Sequence, residues 1–393
     1  MTEIDVRHRT TLGELARLFL KLGTIGVGGP AAHIALMEDE VVRRRGWLTR
    51  EAFMDYLGAT NLIPGPNSTE LAIEIGRDRA GWPGLIVAGV AFIVPAAIIV
   101  TITAWAYVRF GSLPAALALF AGVKPVIIAI IVQALWRLGR TAVKTTWLGV
   151  VTATAIVAVA AGVNELVVLL VAATLSSLGV ALRGRAASDR VNIAIPVGVF
   201  ASASRPGLGA ALGAAVGVPA AVSLWTLFAI FLKIGAVLFG SGYVLLAFLR
   251  ADFVERLGWL TERQLLDAVA VGQVTPGPVF TTATFIGYVL GGIPGAVTAT
   301  VGIFLAAFVF VAVSGPLIPR LRRSRLAGAA LDGVNAASLG LMAVVTWQLG
   351  RASIVSLSSW AVAVIAGALL ATRRVNAAWL VIGGAIAGIA LGM

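Results

Sequence analysis

The chain has 393 residues, 59% of them hydrophobic and 12% charged, with a mean hydropathy of +0.97 and a formal net charge of +12. Soluble domains carry about 25% charged residues, so this composition excludes an ordinary soluble fold and predicts an all-α polytopic membrane protein. Cysteine is absent and only His8 and His33 are present, which excludes disulfides and thiolate metal sites and leaves little for a metal cluster or other cofactor. The basic residues sit in short loops between apolar runs. That pattern suits topology signals and anionic headgroups, or attraction of an anionic substrate, and not nucleic acid.

Met1 to Thr10 is polar with no cleavable signal, so the first apolar helix is expected to direct insertion. Thr11 to Gly29 predicts a helix carrying Lys21 and ending at Gly26-Val27-Gly28-Gly29-Pro30. Ala31 to Val42 resumes as a helix with His33, and Arg43-Arg44-Arg45 with Trp47-Leu48-Thr49 forms a basic, aromatic interface loop. Glu51 to Ile63 enters a break at Pro64-Gly65-Pro66. Two prolines remove backbone donors and a glycine permits unusual dihedrals, so no unbroken helix passes here. Asn67 to Arg79 leaves the break with Pro66 as its first position, Gly81 to Gly84 is a turn, and Leu85 to Val108 spans with a kink expected at Pro95. Leu113 to Leu135 spans and carries Lys124. Trp147 to Gly162 and Leu166 to Leu182 predict a tight helical pair.

Arg183 to Arg190 is polar and reads as a linker, and Val191 to Val218 is apolar with Gly209, Gly213 and Gly217 spaced for close helix packing. The predicted organisation is a first repeat over 1–182, a linker and connecting helix over 183–222, and a second repeat over 223–393. The second half runs from Trp225 to Gly240, through Arg256 and Trp259-Leu260-Thr261, to Glu262–Val274 and a second break at Thr275-Pro276-Gly277-Pro278. Val279 to Leu290, Val297 to Val313, Leu326 to Leu349, Ile354 to Leu370 and Ala378 to Leu391 follow, separated by basic loops at Arg320–Arg323 and Arg373-Arg374.

The halves align. Phe19-Leu20-Lys21, Trp47-Leu48-Thr49, Asp55 and Pro64-Gly65-Pro66 recur 212 residues later as Phe231-Leu232-Lys233, Trp259-Leu260-Thr261, Asp267 and Pro276-Gly277-Pro278. Pro83-Gly84 and Gly139-Arg140 recur 211 residues later. A tandem duplication with paired broken helices points to a transport site at the interface of the halves. An odd number of spans per half makes the halves inverted, which is the favoured reading, although the matched basic loops at Arg43 and Arg256 do not decide it.

Gly28-Gly29-Pro30-Ala31-Ala32-His33-Ile34-Ala35, the stretch from Glu40 to Leu48, and Asn61-Leu62-Ile63-Pro64-Gly65-Pro66-Asn67-Ser68-Thr69-Glu70 resemble the chromate ion transporter family. Gly272-Gln273-Val274-Thr275-Pro276-Gly277-Pro278 resembles that family's second domain, so the chain is similar to the long, two-domain type. The resemblance implies export of chromate across the inner membrane on the electrochemical gradient. Sulfate shares the charge and shape of chromate and stays open as the physiological anion. An intramembrane reductase lacks a redox centre here, no P-loop is visible, and a membrane scaffold does not account for the repeated Pro-Gly-Pro. No enzyme is therefore expected, and a homo-oligomer is left open.

Candidate ligands cluster at the breaks. The half-helix starting at Pro66, with Gly65, Asn67, Ser68, Thr69 and Glu70, offers free amides and hydroxyls to an oxyanion, and the end at Pro278, with Gln273, Thr275 and Gly277, offers a second set. The simpler reading is two kinks. Asn67 is equally a helix cap. Glu70 either pairs with Arg77 or another base, or takes a proton and couples transport to the gradient. Lys21 and Lys233 either snorkel or line the path. Lys124 has the neutral Asn335 as its repeat partner, which tilts it toward function. His33 either hydrogen-bonds the oxyanion or is a satisfied polar histidine.

Overall fold

Helix starts in this chain are written by hydroxyl residues that recur with the repeat. In the computed structural model, Thr11 and Ser223, Thr49 and Thr261, and Thr145 and Ser356 each accept a backbone N–H in the first turn of the helix they precede. The structure describes residues 10–26, 29–185, 222–239, 244–314, 324–372, 375 and 377–392, with no strand among them. The stretch Val191–Val218 with its spaced glycines, residues 186–190 of the polar linker, His8, Gly28 and the basic loops at Arg320–Arg323 and Arg373-Arg374 lie outside the described residues.

The first half supplies α1 (Leu12–Ile25), α2 (Pro30–Glu38) running into a π-helical turn (Asp39–Arg44), α3 (Arg50–Thr60), α4 (Asn67–Phe110), α5 (Pro114–Ala142), α6 (Thr146–Ala160) and α7 (Glu165–Arg185). The second half repeats the order with α8 (Leu224–Val237), α9 (Leu245–Leu249) and its π-helical turn (Arg250–Arg256), α10 (Glu262–Val274), α11 (Thr282–Ser314), α12 (Arg325–Ser353), α13 (Leu357–Ala371) and α14 (Ala377–Ala390). α4, α5, α12, and α11 with its preceding turn are long and apolar enough to cross a membrane. Every fourth residue from Trp82 to Ile102 is apolar and exposed, and the same stripe recurs from Ile293 to Val313. These are lipid-facing ridges on matching helices.

α4 and α11 are each two helices. Ala80 (φ −142°) and Gly81 (φ 63°) divide the first, and Gly291 (φ −149°) and Gly292 (φ 59°) divide the second. The turn thus sits just before Trp82, and Pro83 falls in the opening turn of the span, where its missing N–H costs nothing. The helix continues through Pro95 with helical dihedrals.

The halves exchange their last helices. α1 packs on α4 and α8 on α11 within each half, and α4 meets α11 across the interface. α6 and α7, expected as a tight pair, both lie mainly against α12 of the other half, while α13 and α14 lie against α5. The α5–α14 crossing is backbone to backbone: a Cβ at Gly122 would overlap the Gly384 carbonyl oxygen. At Gly139, further along α5, the nearest atom to a new Cβ is Leu339 Cδ2 at 3.6 Å, an ordinary contact.

That difference predicts opposite signs. Gly139→Ala is expected to stabilise the protein by about 0.5–1 kcal/mol through helix propensity, and Gly122→Ala to destabilise it by about 1–3 kcal/mol through overpacking against backbone that cannot give. Thermal unfolding in detergent compares them.

Candidate functional site

α3 ends at Thr60 and helical geometry resumes at Asn67, with Pro66 before it and no side-chain cap. Asn67 is therefore the first helical residue and not the cap, and Pro66 stands one place earlier than expected. Gly65 holds φ 139° and Gly277 φ 92°, dihedrals that L side chains avoid. Neither glycine amide faces a cavity. Gly65 N–H donates to the carbonyl of Leu238 in the second half at 2.8 Å, and Gly277 N–H donates to the carbonyl of Gly26 in the first at 2.8 Å. Leu238 stands 212 residues after Gly26, as Gly277 does after Gly65, so the two bonds are one contact made twice. The acceptors are the capping residues after α1 and α8, where helix carbonyls lack internal partners. Gly65 and Gly277 are thus corrected from oxyanion donors to inter-half joints.

Behind the first break the polar groups divide. His33 is buried, with Nε2 2.9 Å from the Gly26 carbonyl and Nδ1 3.3 Å from Ser68 Oγ. The acceptor at Gly26 puts the proton on Nε2, which leaves Nδ1 to accept from the Ser68 hydroxyl. Phe92 closes the ring edge-on at 5.3 Å. His33 and Ser68 are therefore a satisfied buried pair and leave no donor for substrate. Thr69 and Glu70 are fully buried, and Thr69 Oγ1 and both Glu70 carboxylate oxygens have no hydrogen-bond partner among the described residues. Arg77, expected beside Glu70, instead donates to the Val311 carbonyl at 2.7 Å and lies 3.7 Å from Glu74. The carboxylate fills the space beside Gly65, where any Cβ would overlap it.

Asn67 faces open volume. Its amide donates to Asn61 Oδ1 at 2.6 Å, and both line a cavity of about 560 Å3. The far wall is α12, with Asp332, Asn335 and Ser338, and Lys144 joins it, 2.9 Å from Asp332. Ser338 is 3% exposed and its Oγ has no partner. Ser338, Lys144 and Asn335 as a ligand were not singled out from sequence. The available signal was Asp332, Asn335 and Ser338 at three-residue spacing within a long, largely apolar helix.

The second break does not match. Gln273 and Thr282 border a space of about 10 Å3, room for one water at most. Thr275 Oγ donates back to the Val271 carbonyl at 2.7 Å. Among the described residues, Gln273, Thr275 and Gly277 border no space comparable with the one beside Asn67.

The lysines are committed elsewhere. Lys21 lies 2.5 Å from Glu40, and Lys233 pairs with Asp252, the same contact in each half. The Lys21 hydrogen bond holds the Glu40 carboxyl below the usual carboxylate range. Lys124 crosses the interface to Asp267 at 3.4 Å, where the Tyr107 hydroxyl also donates at 2.9 Å. Among the described residues no group of His, Asp and Glu is arranged to hold a metal.

A family model described as chromate transporter matches residues 13–177 and again residues 225–389. The chain is 32% identical to the chromate transport protein of Cupriavidus metallidurans over 387 residues, 96% of this chain and 93% of the relative. It is 34% identical to the chromate transport protein of Pseudomonas aeruginosa, covering 86% of this chain and 81% of that one. It is 31% identical to a probable chromate transport protein of Synechococcus elongatus, covering 92% and 91%. No solved structure gives a significant match.

Asp267 is fully buried and its other cation, Arg263, stands off at 4.0 Å, so removing Lys124 takes away the nearer of its two counter-charges. Lys124→Met is expected to cost about 3–5 kcal/mol, and adding Asp267→Asn should recover most of it. Unfolding of the single and double variants in detergent measures the coupling.

Proposed function

The chain belongs to the chromate transporter family, and we propose that it exports chromate across the inner membrane on the electrochemical gradient, giving resistance to chromate. Sulfate, with the same charge and shape, competes for the same site. The observation that carries this reading is the cavity of about 560 Å3 between the first break and α12. Its wall joins the neutral donors Asn61 and Asn67 of one half to Asn335 and Ser338 of the other, and its two charged members, Lys144 and Asp332, are paired with each other. A dianion held by neutral donors beside a helix start is favoured by dipoles and needs no counter-ion. It can therefore leave as readily as it enters.

Glu70 supplies the coupling in this proposal. It lies one turn beyond Asn67, enclosed, with neither oxygen partnered. A dianion arriving next to an ionised carboxylate is repelled, and a charge enclosed without partners is expensive in a membrane. Taking a proton resolves both. The other ionisable groups nearby are His33, held through Ser68, and Glu74 and Arg77 on the same helix. Glu70→Gln keeps the shape and removes the titration. In inverted vesicles at fixed membrane potential, the variant is expected to retain chromate binding and lose the pH dependence of uptake. Identical pH profiles with full activity exclude Glu70 as the coupling group and favour transport driven by potential alone.

The proposed organisation is a pair of inverted repeats over 1–182 and 223–393, joined by 183–222. Thr145 and Ser356 offer a matched pair of probes, because each caps a helix at the same place in its half. The chain has no native cysteine. Single cysteines at these positions are expected to react with an impermeant reagent from opposite faces of the membrane. Reaction from one face makes the repeats parallel.

A further inference from the structure

α12 touches two cavities in succession. Asn335, Ser338, Leu339 and Met342 border the space of about 560 Å3, and Leu341, Val345 and Gln348 border a second of about 360 Å3. At 3.6 residues per turn the second set is rotated from the first by roughly a quarter to a third of a turn, so the lining winds round the helix as it runs along it. Ser338 and Gln348 are ten residues apart, about 15 Å along the axis. The opposite wall is also shared. Val244 belongs to the first cavity, and Ala247, Arg250 and Asp252 to the second.

Between the two spaces the lining is apolar. Leu341, Met342 and Val345 from one wall and Val244 and Ala247 from the other are all buried. On either side stands a polar atom without a partner: Ser338 Oγ before the partition and Gln348 Oε1 beyond it. An amide can turn over to present its NH2 group, so Gln348 can donate as well as accept. The second cavity is rimmed by Lys233, Arg250 and Arg256, paired with Asp252, Glu255 and Glu262. Unpaired buried polar atoms are costly, and two facing successive cavities on one helix are unlike random packing faults.

We propose that α12 lines the oxyanion's route along its length, with the apolar partition as its gate and Gln348 as a second subsite on the far side. The substrate named here rests on the reading of the first cavity given above. An apolar constriction excludes ions by staying dry, so the structure is an occluded state in which both vestibules exist and the passage between them is shut. Parting the α9 segment from α12 opens it, and the neutral donors at Ser338 and Gln348 receive the anion in turn.

Single-cysteine variants in sealed vesicles test the route. An impermeant, anionic thiol reagent is expected to modify Ser338→Cys from one face and Gln348→Cys from the other, with chromate or sulfate slowing the first reaction several-fold. Modification of both from one face, or of neither, overturns the route even where transport is normal. Opposite-face modification that neither anion slows supports the route and instead removes the substrate assignment. As an independent check, Leu341→Ala combined with Met342→Ala is expected to raise passive sulfate leak several-fold at zero gradient. An unchanged leak overturns the gate.

Discussion

Two backbone hydrogen bonds exchanged between the halves hold the centre of this protein. A helix broken inside a bilayer exposes amides and carbonyls that lipid cannot satisfy, at several kcal/mol each. Here each half satisfies one group of the other: Gly65 donates to Leu238 and Gly277 to Gly26, both at 2.8 Å. Neither break has this partner within its own repeat. The same reciprocity continues outward, where α6 and α7 dress α12 and α13 and α14 dress α5. Duplication is therefore built into the stability of the fold, and separated halves would leave both joints open.

A shared scaffold does not make equal sites. The position of Ser68 is Phe280 in the second copy, packed 6.2 Å from Phe304, and the position of His33 is Leu245. Apolar side chains line much of the small space of about 10 Å3 beside Gln273. The first break keeps Asn67 facing a cavity and Glu70 enclosed behind it. The Gly26 carbonyl ties the two together, since it accepts from Gly277 of the second break and from His33, whose other nitrogen meets Ser68 at the first. A change at one break thus has a direct route to the other.

Much of the architecture was legible in the chain. Hydropathy located the long spans and the repeat paired the breaks. The ion pairs were legible too, though unread: Lys21 and Glu40 recur as Lys233 and Asp252, an acid–base pair preserved at one shift. What local pattern could not carry was the identity of partners across the interface. Nothing about Leu238 marks its carbonyl as an acceptor, because any residue supplies one. Ser338 joins Asn67 only because α12 folds back over the first break, some 270 residues later in the chain. Arg77 was one of the partners offered for Glu70, and it donates instead to the Val311 carbonyl of the other half.

The central claim is that the two breaks yield one principal oxyanion site per chain and not two equivalent ones, at the first break and against α12. Equilibrium binding of chromate to the purified protein in detergent tests it by stoichiometry. One chromate per chain is predicted. Asn67→Ala and Ser338→Ala should each weaken binding by about 1.5–3 kcal/mol, the worth of a hydrogen bond to a charged group, while Gln273→Ala with Thr275→Ala leaves it unchanged. Two equivalent sites per chain, or loss of binding in the Gln273 and Thr275 variant alone, would contradict the account.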